Sequence, residues 1–137
     1  MNRMLYSLLA LLTWTACSTA QPPMQTHYET AREHYDIEMA IATRDSLSEQ
    51  KMSNTILYAE VCLLIAELYR IDYEDTPNDE GGKRRSLGKE IDEATDKGLS
   101  SLAELEDSSE RYRVKADLIG CKMRTKFKAR KYRHTMD

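Results

Sequence analysis

NTILYAEVCLLIAELY, residues 54–69, carries apolar side chains around most of a helical circumference. Ile56, Tyr58, Val61, Cys62, Leu64, Ile65, Leu68 and Tyr69 span too wide an arc for one contact stripe. A helix of that kind has to be covered on more than one side, so it is the core element of a helical domain and its sequence neighbours are the covers.

Upstream, Tyr28, Ala31, Tyr35, Met39 and Ala42 recur at three- and four-residue steps and share one helix face. Thr26 and Glu29 have the spacing of a capping box, in which hydroxyl and carboxylate satisfy backbone donors at a helix start. The stretch Thr43-Arg44-Asp45-Ser46 either ends that helix, because Ser46 and Glu49 repeat the capping-box spacing, or lets it continue to Met52. Downstream, residues 72–82 read as an acidic loop broken by Pro77, Asn78 and Gly81-Gly82.

Leu87, Ile91, Ala94, Gly98, Leu102 and Leu105 then lie on one stripe of a third helix. Gly98 costs that helix about 1 kcal/mol relative to Ala, which makes sense where another helix crosses at close range. Asp107-Ser108-Ser109 provides a polar break and an N-cap for a fourth helix. Its apolar stripe, Tyr112, Ala116, Ile119, Met123 and Phe127, is expected to form core. Beyond Phe127 the basic run that begins Lys128-Ala129-Arg130 predicts the start of a fifth helix with no C-cap, so the helical domain, residues 21–137, is expected to be incomplete at its C-terminus. The fold class is all-α: antiparallel helix hairpins forming a helical repeat or a short bundle.

Residues 1–20 have a different character. Met1-Asn2-Arg3 is followed by an apolar run from Met4 to Trp14 and by the small residues Thr15-Ala16-Cys17-Ser18-Thr19-Ala20. A positive start, a short acid-free apolar run and a small-residue exit are the marks of a signal peptide. Ser18-Thr19-Ala20 suits a cut before Gln21. Thr15-Ala16-Cys17 resembles the lipobox of bacterial lipoproteins, which implies Cys17 as the lipid-attachment residue and residues 18–25 as a short tether. Lipidation is the route expected here, with simple secretion the alternative. Cys62 and Cys121 remain, each inside a predicted helix, where buried thiols are favoured over a disulfide.

With 31% charged residues and few Gly or Pro, the composition excludes fibrous and multispanning classes. The net charge of −3 hides an asymmetry: residues 108–137 carry ten basic side chains against three acids, leaving the rest of the chain strongly acidic. Export removes such a segment from nucleic acid; anionic lipid or the chain's own acidic half are the partners it suits, and a merely solvated basic face is favoured over either.

No catalytic site is legible. The run from Gly82 to Gly88-Lys89 fails as a phosphate loop, because Glu90 stands where Ser or Thr is needed and no strand precedes it. His27, His34 and Glu38 share a helix face that could hold a metal, but solvated polar residues beside the Tyr28 and Tyr35 stripe explain the same pattern. The expectation is no enzyme, no cofactor and no metal.

Cys62, Ile65-Ala66 and Tyr69 resemble the first-helix pattern of a tetratricopeptide repeat, and Tyr112, Lys115-Ala116 and Ile119 resemble it again. With the lipobox-like start, residues 54–137 resemble the opening part of a bacterial tetratricopeptide-like lipoprotein, such as the T component of tripartite periplasmic transporters. The resemblance implies a non-enzymatic envelope scaffold, periplasmic or membrane-anchored, that meets a protein partner through its helix stack. The alternative is a secreted bundle whose basic C-terminal helix binds anionic membrane surfaces.

Overall fold

The structure, a computed structural model, describes residues 23–134, with side chains through residue 131. The expected signal peptide and Cys17 lie outside the described residues. Five helices follow in order: α1 (Pro23–His34), α2 (Ile37–Glu49), α3 (Ile56–Asp75), α4 (Gly81–Leu102) and α5 (Ser109–His134). No strand occurs among the described residues, so the chain is all-α, as its periodicities require.

α3 contacts each of the other four helices. Thr55 starts it, its hydroxyl oxygen accepting from the Tyr58 amide at 3.2 Å, a cap that stabilises by about 1 kcal/mol. Val61, Cys62, Ile65 and Ala66 are buried against Ala31 of α1, Ala40 and Leu47 of α2, Ile91 and Ala94 of α4, and Cys121 of α5. A second cluster joins Ala59 of α3 to Leu102 of α4 and to Val114 and Leu118 of α5. The α1–α2 pair covers one side of α3, while α4 and α5 cover the rest.

The N-terminal helices divide earlier than the periodicity suggests. α1 starts at Pro23, whose fixed φ suits a first helical turn, so Thr26 and Glu29 lie inside the helix and Glu29 accepts from the Gln25 side chain at 3.0 Å instead of capping a start. The break falls at Tyr35-Asp36. Asp36 N–H donates to Ala31 O at 2.9 Å across Tyr35, which stands at φ 53°, and Asp36 Oδ1 accepts from the Met39 amide at 3.0 Å. Together these bonds stop one helix in a Schellman turn and cap the next. The same stop recurs at Lys51, φ 58°, with Met52 N–H on Leu47 O at 2.8 Å. Both left-handed positions hold large side chains in place of the glycine that would have announced them. The break shifts the helical phase, so α2 buries Ala40, Thr43 and Leu47, while Tyr35 and Ala42 are exposed.

Two further boundaries move. α3 runs on to Asp75 and α4 begins at Gly81, leaving only residues 76–80 as loop. α5 continues unbroken through Phe127 to His134, so the separate fifth helix predicted there is the last part of α5.

Gly98 is where three helices meet. A Cβ placed on it would lie 2.9 Å from both Leu118 methyls and 3.2 Å from Cys62 Cβ. The close crossing expected from a mid-helix glycine is present, made by α3 and α5 together. Leu118 and Cys62 are both fully buried, so neither can withdraw without disturbing close-packed neighbours. Gly98→Ala is therefore expected to destabilise the fold by about 1–2 kcal/mol in a urea titration, the overpacking cost exceeding the gain in helix propensity. A stability equal to or above that of the parent would show that α4 is not pinned there.

Candidate functional site

α5 carries two apolar stripes. Val114, Leu118, Cys121 and Thr125 face α3 and α4 and are buried. The other stripe, expected to be core, points away: Tyr112, Ile119, Met123 and Phe127 are 54%, 43%, 61% and 73% exposed, with Ala116 exposed among them. The stripes are offset by two residues, about 200° of helical rotation, so each occupies the face opposite the other. A contiguous row of large apolar side chains in water marks an interaction surface in a way that single exposed residues do not.

The basic character of α5 is partly absorbed inside the molecule. Arg113 pairs with Glu60 of α3 at 2.6 Å, Lys122 pairs with Asp96 of α4, and Lys128 pairs with Glu74 of α3 at 2.7 Å. The Lys128 hydrogen bond holds the Glu74 carboxyl below its ordinary value, against the opposing cost of desolvation, and Arg70 adds to the effect. Arg111 closes the α4–α5 corner, donating to Leu102 O at 2.8 Å and to Asp107. Lys115, Arg124, Lys126 and Arg130 have no salt-bridge partner among the described residues. Helical geometry puts Lys115 and Lys126 along one edge of the exposed stripe and Arg124 beyond the other, with Arg130 continuing the stripe itself.

Beside this face lies a pocket of about 780 Å³ between the first half of α4 and the last part of α5. Arg84, Arg85 and Lys89 line it from α4, and Lys126 and Arg130 from α5, with Asp92 the one acid. Arg84 is buried over the Tyr73 ring, 5.7 Å from its centroid, and donates to Thr76 O and to Asn78 Oδ1 at 3.3 Å, which ties the loop of residues 76–80 to α4. Gly88 lines the space, and a Cβ there would meet nothing closer than Tyr73 Cε2 at 3.9 Å. The run from Gly82 to Lys89, which fails as a phosphate loop, has only Leu87 as a sign of helix. The segment is helical, and what it contributes is one wall of a basic pocket.

Other expected features are dispersed. His27, His34 and Glu38 are exposed, and the break at Tyr35-Asp36 puts Glu38 on a different helix from both histidines. Among the described residues no group of three metal-ligating side chains occurs, and no helix is long and apolar enough to cross a membrane. Of the two tetratricopeptide-like matches, Cys62, Ile65 and Ala66 are buried, whereas Tyr112, Lys115, Ala116 and Ile119 lie exposed on α5. In comparisons with known proteins, no family model, no curated protein and no solved structure matches the chain.

Cys62 and Cys121 are free and buried, and burial pushes both thiols up to about 12. They are therefore expected to resist a thiol reagent at pH 8 in the native protein and to react fully once it is denatured. Because the folded thiols hold their protons more tightly than the ordinary value of 9.0, their contribution to stability is intact below pH 9 and is lost as pH rises toward 12. Rapid native labelling of either thiol at pH 8 would contradict this burial.

Proposed function

We propose that the chain is a non-enzymatic interaction scaffold of a bacterial cell envelope, made of tetratricopeptide-like helix hairpins and held at a membrane through a lipid on Cys17. Its contact surface is the outer face of α5, and its partner is a protein that covers that face with an apolar surface bordered by acids. The observation that carries this reading is the stripe of Tyr112, Ile119, Met123 and Phe127, which lies opposite the helix's own core face. Covering the exposed parts of Ile119, Met123 and Phe127 gains roughly 1–2 kcal/mol each, a contribution toward the entropy lost on docking. The buried, protonated state of Cys62 and Cys121 deprives them of nucleophilic character, in keeping with a non-enzymatic role. A helical-repeat reading also accounts for the stripe, since each hairpin of such a stack leaves a face for whatever packs next.

The cations beside the stripe favour a second reading, in which the same face lies on an anionic membrane surface as an amphipathic helix does. Salt separates the two, because cations held to acidic lipid are screened and a mostly apolar protein contact is not.

The test is site-specific photocrosslinking in the exported protein, with a crosslinking residue placed at Met123 or, as a control, at exposed Glu49 of α2. A discrete protein adduct from Met123 alone, together with a diacylglyceryl mass on Cys17 that Cys17→Ala abolishes, is the expected outcome. Crosslinks from Met123 to lipid only, with vesicle binding lost in high salt, would replace the scaffold by the membrane-surface reading. No adduct beyond that of Glu49 would remove α5 as the contact surface.

A further inference from the structure

The geometry points to a second site: the pocket between α4 and α5 binds a compact organic phosphate through its doubly charged phosphoryl groups. Five cations, Arg84, Arg85, Lys89, Lys126 and Arg130, converge on one cavity against the single carboxylate of Asp92. Arg113, Lys122 and Lys128 of α5 pair with carboxylates on α3 and α4, whereas Arg85, Lys89, Lys126 and Arg130 in the pocket, like Lys115 and Arg124 outside it, have no salt-bridge partner among the described residues. Like charges gathered in a concave site repel one another until an anion is supplied, and the free energy of that repulsion is recovered on binding.

Three features favour phosphate over other anions and limit its size. Arginine forks bind phosphoryl oxygens in pairs, and two arginines of α4 are in the lining. The first turn of α4 opens at the pocket through Gly81; it contains no acid, and Glu80 at its N-cap makes no side-chain hydrogen bond to it, so its amides and dipole add to the positive potential. The cavity, at about 780 Å³, is within the range of small-ligand sites, which suits a molecule with a body attached to its phosphate better than a nucleic-acid backbone. Asp92 then has an evident use, accepting from a hydroxyl on that body.

A soluble organic phosphate and the headgroup of an anionic phospholipid both present this chemistry. The test begins with inorganic pyrophosphate, titrated against the purified chain while its melting temperature is followed, and continues with sedimentation on phosphatidylcholine vesicles with and without phosphatidic acid. Three variants accompany the parent. Arg85→Gln with Lys89→Gln removes charge from the pocket, Gly88→Leu narrows it without altering charge, and Lys115→Gln removes a cation outside it. Gly88 is in mid-helix with open space at its Cβ, so the leucine should strengthen the helix and leave folding intact. The expected result is a saturable rise in melting temperature with pyrophosphate, weakened about tenfold or more by the double variant, weakened by Gly88→Leu and unchanged in Lys115→Gln. If only phosphatidic acid vesicles bind, with the same ranking of variants, the phosphate is a lipid headgroup. The proposal is overturned if neither probe binds saturably, or if Gly88→Leu binds as the parent does while Lys115→Gln weakens equally, since the effect is then general surface charge.

Discussion

The packing of α3, α4 and α5 against one another depends on the absence of one side chain. At Gly98 the backbone of α4 approaches Cys62 of α3 and Leu118 of α5 so closely that a single added carbon would collide with both. Such an approach lets Leu118 reach the cluster of Ala59, Leu102 and Val114 and lets Cys121 join the core of α3. The glycine is unfavourable for α4 taken alone and favourable for the three-helix contact, which is the balance expected where tertiary packing overrides intrinsic propensity.

Once α5 is seated by that contact, its charge is organised by what lies beside it. Glu60 and Glu74 on α3 and Asp96 on α4 meet Arg113, Lys128 and Lys122, so the acidic and basic parts of the chain partly neutralise each other across the helix interfaces. One side chain of each pair is substantially exposed, and each pair adds at most about 1 kcal/mol. Their larger effect is on register and on which cations remain. Lys115, Arg124, Lys126 and Arg130 are left over, and they fall along the outer face and the pocket instead of being spread evenly.

The sequence announced the all-α fold, the central place of α3, the α4 stripe and the close crossing at Gly98, because each depends on a local period or a residue with few alternative uses. It did not announce the stops at Tyr35 and Lys51, where the left-handed conformation is imposed on residues that seldom adopt it and is held by backbone bonds to Ala31 and Leu47. Nor could periodicity orient α5. Val114, Leu118, Cys121 and Thr125 make as regular a series as Tyr112, Ala116, Ile119, Met123 and Phe127, and the longer side chains of the second made the wrong face look like the core. The basic pocket was invisible for a related reason: Arg85 and Lys89 come together with Lys126 and Arg130 only after α4 and α5 have packed antiparallel.

The second stripe of α5 lies outside the buried core of the described residues. An exposed apolar row of this kind raises the risk of association with anything apolar nearby. The ten basic residues of this segment present a parallel case, since three suffice for the long-range pairs that tie α5 to its neighbours. Surplus hydrophobicity and surplus positive charge are separate departures from what folding alone requires, yet they occupy adjacent faces of one helix. Both departures are accounted for by the contact surface proposed above: the inner face of α5 completes the core through Gly98, and its outer face and edge are left for the proposed partner.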